Sequence, residues 1–175
     1  MVSVPLVTSM TDTSINGWPV SATPADINVR QFTIPDTKRH VQLCADVAPI
    51  LLWVGTAFHR HISNLDKGIL AVWVYNYRKA RQADAWSDHA SGTAIDLRSD
   101  RFPIGKRNMS LLQKLWVRRI LKVCDSLVIW GGDYKNDASA DEMHFAIAPG
   151  VTSKQILAWR VKHRIDSNGQ QLPKK

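Results

Sequence analysis

His89, Asp96 and His144 are the residues whose types and surroundings suggest chemistry. Two imidazole nitrogens and a carboxylate oxygen are a recognised donor set for zinc. Three protein ligands leave a fourth position open, as in catalytic sites, whereas structural sites are closed by four. Water in the open position is acidified toward a pKa near ~7 and a carbonyl beside it is polarised, so a carboxylate close by can serve as general base. Two acids precede His144, Asp141 and Glu142. Strict strand alternation back from His144 puts Glu142, not Asp141, on its face.

The spacing around His89 is informative only as a whole. With six His among 175 residues, a His followed seven positions on by an Asp arises about 0.5 times by chance. Requiring Ser87, Gly92 and Ala94 at their offsets as well reduces this to roughly two in ten thousand.

These groups need elements to bring them together. Residues 93–97 alternate as a strand, with Thr93, Ile95 and Leu97 on a packing face and Ala94 and Asp96 on the other. Gly92 permits a sharp bend that returns His89 to the Asp96 side. Residues 143–147 repeat the pattern, with Met143, Phe145 and Ile147 packing while His144 and Ala146 face away. If the two strands are neighbours, Asp96 and His144 converge.

Around this centre the reading places a short strand at 31–34, a helix over about 43–65, a strand at 69–77, a polar loop at 79–86 and a strand at 127–130. Capping boxes at Ser110/Gln113 and Thr152/Gln155 open helices to about Cys124 and Ile165. The first of these should bury Leu112, Leu115, Trp116, Ile120 and Val123. The order of helices and strands lacks the regular alternation of parallel sheets, so the expected class is α+β: a small antiparallel sheet flanked by helices, with the metal site on the sheet face. The expected organisation is an extended arm at 1–30, one domain at 31–165 and a flexible tail at 166–175.

Composition is globular, with 45% hydrophobic and 22% charged residues. No apolar run approaches the roughly 18–20 residues that span a bilayer, so no membrane insertion is expected. No Lys or Arg precedes Arg30, so no secretory signal is expected either. Cys44 and Cys124 match no metal or redox spacing and read as buried free thiols. The net charge of +8 implies an anionic partner or milieu.

Tyr77-Arg78, the Ser87 to Asp96 pattern, Trp130-Gly131-Gly132-Asp133 and Asp141 with His144-Phe145 together resemble a known family. It is that of the zinc peptidases of D-alanyl-D-alanine carboxypeptidase and L-alanyl-D-glutamate endopeptidase type, which includes many bacteriophage endolysins. The resemblance spans about residues 31–151. It implies that His89, Asp96 and His144 bind zinc, and that Asp141 is the catalytic base. It also implies that Arg78 stabilises the oxyanion and that Ser87 contacts substrate.

The leading expectation is therefore a zinc-dependent peptidase acting on peptidoglycan stem peptides, as a monomeric phage endolysin made in the host cytoplasm and acting on the cell wall. Two other classes compete: a zinc-containing wall-binding module without hydrolysis, and a basic nucleic-acid-binding protein using its seven Trp as stacking surfaces. Asp141 and Arg78 argue against the first. Trp53, Trp116 and Trp159 lie in amphipathic stretches and read as core, so no nucleic acid is expected.

Overall fold

The computed structural model describes residues 12–68, 71–81 and 83–173. It is α+β. A hairpin of β1 (Val29–Thr33) and β2 (His40–Cys44) leads into α1 (Ala48–His61). Short β3 (Val72–Trp73) and β4 (Ala94–Leu97) precede α2 (Leu111–Val123). Strands β5 (Val128–Trp130) and β6 (His144–Ile147) and then α3 (Ser153–His163) complete the order. The main sheet runs β3-β4-β6-β5, antiparallel at every pairing.

Alternation along β4 and β6 gives the sheet its two faces. Ile95, Leu97, Phe145 and Ile147 are fully buried on one side, where Phe58 of α1 meets Phe145 edge to face at 6.0 Å. Fully burying each such side chain stabilises the fold by about 1.5–3 kcal/mol. Asp96, His144 and the small Ala94 and Ala146 occupy the other side. The helix starts at Ser110 and Thr152 are where the capping boxes put them, each with both reciprocal hydrogen bonds.

Four expectations change. The helix expected from about 43 begins only at Ala48, because residues 43 and 44 end a strand: Val41 and Leu43 alternate with exposed His40 and Gln42, and pairing with β1 satisfies their backbone. The strand expected at 69–77 pairs only at Val72 and Trp73, while residues 69 and 70 lie outside the described residues. Beyond Trp73 the backbone serves other partners. Val74 O accepts from the His89 ring, and the Tyr75 and Asn76 N–H groups donate to Gln42 and His89 carbonyls.

On α2 the buried residues are Val117 and Ile120, whereas Leu112 and Leu115 are 72% and 48% exposed. The apolar stripe assigned to this helix was thus rotated from its true buried face. At the C-terminal end, residues 166–171 turn back through an Ile165 to Gln171 bridge, and a Cβ on Gly169 would lie 2.6 Å from Leu52 Cβ. Part of the segment read as a tail therefore lies against α1. Cys44 and Cys124 are free and buried.

Candidate metal centre

The β4–β6 register places Asp96 directly opposite His144. His89 arrives from a 3-10 turn, Asp88–Ser91, that ends at Gly92 with φ 67°. A side chain at Gly92 would also meet Val29 Cγ2 at 2.6 Å and Cys44 N at 2.8 Å, so both the left-handed backbone and the close approach to the β1–β2 hairpin require glycine. The Ser87 hydroxyl oxygen caps this turn by accepting from the His89 N–H at 3.3 Å.

The three side chains share one focus. Asp96 Oδ1 lies 3.1 Å from His89 Nε2 and 2.7 Å from His144 Nδ1. All three ligand atoms fall within 4.8 Å of one another. His89 Nδ1 is 2.8 Å from the Val74 carbonyl, so this nitrogen carries the proton and Nε2 presents its lone pair toward the focus. An outer hydrogen bond of this kind fixes the tautomer of metal-binding histidines. The donor set suits a divalent metal, and these residues can hold one.

Without a cation the same groups compensate one another. Burial alone would raise the Asp96 pKa, but the two imidazoles outweigh it and hold the carboxyl well below the usual range. Burial opposes the charged form of His144, yet the hydrogen bond and charge of Asp96 raise its pKa.

Asp141 and Glu142 part company at the entry to β6. The Asp141 carbonyl accepts from the His144 N–H at 3.1 Å and its N–H donates to Gly131 O at 3.0 Å, closing a turn outside the strand. Alternation therefore does not govern these positions. Glu142 is fully buried, where Oε2 accepts from the Met109 N–H at 2.6 Å and Oε1 lies 3.1 Å from Lys114 Nζ. Asp141 lines the hollow over the focus instead, with Oδ1 buried and without a hydrogen-bond partner among the described residues. Burial and the Asp96 charge push its pKa up to about 6, against the histidines and Arg81.

The two glycines after Trp130 explain their motif. A Cβ on Gly131 would stand 2.5 Å from Asp141 O, 2.9 Å from Asp141 Cβ and 3.2 Å from His144 Cβ, and one on Gly132 would enter the Trp130 ring. Backbone cannot yield as a flexible side chain can. Gly131→Ala should therefore displace Asp141 and His144 together, destabilise the fold by about 1–3 kcal/mol and cost about 10²-fold or more in turnover. Thermal melts and steady-state kinetics check this. Asp133, which ends the same motif, pairs with Arg118 through both oxygens.

Two adjoining hollows of about 300 and 450 Å³, both bordered by Arg78, Arg81, His89, Asp96, Ile104 and Met143, form a cleft over the focus. The larger one also reaches Ser87, Asp141, His144 and Tyr134. Its size suits a small-ligand or peptide site. Arg81 comes from the 79–86 loop and Arg78 immediately precedes it; the loop's ends are held by the Tyr77–Trp86 stack at 4.3 Å and the Ala80 to Ala85 backbone bond at 2.8 Å. Among the described residues the Arg78 side chain hydrogen-bonds to its neighbour's carbonyl, Lys79 O, at 3.1 Å.

Residues 80–147 match the family model described as D-alanyl-D-alanine carboxypeptidase. The match supports the family that the motifs resemble. It takes in Ser87, His89, Asp96, Asp141 and His144, while Arg78 stands two positions before it. No curated protein and no solved structure matches the chain.

Several residues of this cleft escaped the sequence reading. Arg81 sits in a loop read only as polar, and its one signal was proximity to Arg78. Tyr134 follows the Gly-Gly-Asp turn; burial and then Asp88, Asp141 and Asp96 push its hydroxyl up to about 12, so it stays a proton donor at neutral pH. The least legible contribution comes from residues 14–18. Asn16 is 2% exposed: its N–H donates to Asp88 Oδ1 at 2.9 Å, and its side-chain amide donates to Thr93 Oγ1 and Ile147 O. Ser14 Oγ lies 2.9 Å from Ser91 Oγ. This strap ties the His89 turn to both metal-site strands and brings Ile15 to the cleft rim. Nothing in a Ser, Thr, Pro and Asn-rich stretch distinguishes it from loop.

Proposed function

We propose that the chain is a zinc-dependent peptidase that hydrolyses peptide bonds in peptidoglycan stem peptides, as a monomeric phage endolysin. The observation that carries this reading is the shared focus of His89, Asp96 and His144 beneath a cleft that Asp141 also lines, with its Oδ1 lacking a hydrogen-bond partner among the described residues. Zinc, held by those three side chains, supplies Lewis-acid activation of water and of the scissile carbonyl. Asp141 takes the proton from the attacking water and returns it to the leaving amine. Arg78 and Arg81 offer fixed positive charge to the oxygen on which negative charge develops. Ser87, lining the cleft beside His89, contacts the substrate backbone.

Arg78→Ala should lower kcat by about 10²–10³ while leaving metal content unchanged. Lysine should rescue only in part, because one ammonium cannot reproduce the guanidinium fork. Kinetics on a defined stem peptide check both. A near-wild-type kcat for Arg78→Ala would remove the residue from the mechanism.

The +8 charge suits adsorption to an anionic wall. In this reading the protein is made in the host cytoplasm and reaches its substrate once the membrane is permeabilised. Digestion of purified peptidoglycan, with the released ends identified by mass spectrometry, tests the function and names the bond. New D-Glu amino termini mark L-Ala-D-Glu cleavage, and free D-Ala marks D-Ala-D-Ala cleavage. Unaltered peptidoglycan would refute the proposal.

A further inference from the structure

Helix α2 presents a face that the proposed peptidase activity does not use. Leu111, Leu112 and Leu115 are 75%, 72% and 48% exposed, and Arg118, Arg119 and Lys122 are exposed as well. At about 100° per residue these six positions fall within a sector of about 120°. The leucines occupy the N-terminal half of the helix and the cations the C-terminal half. The helix contains no acidic residue. None of the six lines the cleft.

Apolar exposure concentrated in this way marks an interaction surface more often than chance placement does. We propose that this face of α2 docks the protein on an anionic lipid bilayer. A leucine-rich surface flanked by cations matches the boundary between acyl chains and phosphate headgroups, where both classes of side chain are satisfied at once. Other occupants use less of the surface. A soluble polyanion would engage the cations and leave the leucines idle. A second copy packed antiparallel on the same face would lay its leucines on these cations.

The chemistry on the face also sets what each residue contributes. Asp133 pairs with Arg118, so that cation brings little net charge. Arg119, stacked over Trp116 at 4.7 Å, is held in place beside the leucines, and Lys122 lies one turn beyond Arg118. Arg119 and Lys122 are therefore the pair whose removal should matter most.

Co-sedimentation of the full chain with vesicles tests this independently of any peptidase assay. Vesicles of phosphatidylcholine mixed with phosphatidylglycerol should bind the protein, and vesicles of phosphatidylcholine alone should bind it far less. Arg119→Gln with Lys122→Gln should weaken binding about 25-fold, about fivefold for each cation near the surface. Leu111→Gln with Leu112→Gln, at the two most exposed leucines, should weaken it about tenfold or more, with the melting temperature unchanged because glutamine is nearly as good a helix former as leucine. The proposal is overturned by absence of binding to the anionic vesicles or by undiminished binding of the leucine variant. A lowered melting temperature in that variant would also overturn it, because the leucines would then be covered within the chain. So would concentration-dependent self-association that the leucine changes abolish.

Discussion

Asp141→Asn should reduce turnover by about 10²–10⁴, the range of a lost general base, while the protein stays folded and retains its metal. Asp141 Oδ1 is buried and has no hydrogen-bond partner among the described residues, and the residue lines the same hollow as the His-Asp-His focus. Glu142→Gln should behave differently, because its carboxylate serves the Met109 N–H and Lys114 in the interior. Its effect should appear in the melting temperature rather than in turnover. If Glu142→Gln is the inactive variant and Asp141→Asn turns over normally, the two roles are reversed.

The same group sets a pH dependence. In its proposed role as base, a group with a pKa of about 6 must lose its proton to work, so turnover should fall as pH drops through that value. A bound cation moves this limb lower by favouring the carboxylate. Stability runs the other way. The folded-state pKa lies above the ordinary 3.8, so the neutral carboxyl is favoured by folding; that stability is full below pH 3.8 and is lost as pH rises through about 6. In chelator-treated protein, Asp141→Asn should therefore raise the melting temperature at pH 8 and leave it nearly unchanged at pH 4.

Much of this site was legible in the sequence, because it is written in short-range alternation. Two strands with apolar residues at every second position fix which side Asp96 and His144 take, and their pairing brings them opposite. The family resemblance supplied what alternation could not, the choice of Asp141, because that residue belongs to a turn held by Gly131 O and the His144 N–H. Long-range contributions stayed hidden. Asn16 reaches Thr93 and Ile147 across 77 and 131 positions, and no local pattern encodes such a contact. The outward face of α2 was misread for a related reason: leucines at helical spacing ordinarily mark a buried stripe, and although Ile120 is buried as expected, the burial of Val117 shows that the helix is rotated so that Leu112 and Leu115 face outward.

Asp96→Ala should have the largest effect of all, because one carboxylate oxygen serves both histidines. Removing a mere outer partner of a metal ligand costs about 10–100-fold in affinity or activity, and loss of a ligand itself should exceed this. In metal-free protein the change also removes an ion pair. The depressed Asp96 pKa contributes stability above pH 3.8 that is lost on acidification, and the raised His144 pKa contributes stability below pH 6.5 that is lost as pH rises further. The melting temperature of Asp96→Ala should therefore fall furthest below that of metal-free wild type between about pH 4 and 6.5. Metal competes with the His144 proton, so affinity should weaken as pH falls across that window.

The most direct test is the metal content of protein purified without added metal, measured for wild type, Asp96→Ala and His144→Ala, with each variant shown to be folded by circular dichroism. The predicted result is zinc equimolar with wild-type chain and close to none in either variant. Wild type that carries no metal yet hydrolyses peptidoglycan, or folded variants that keep their zinc, would contradict it.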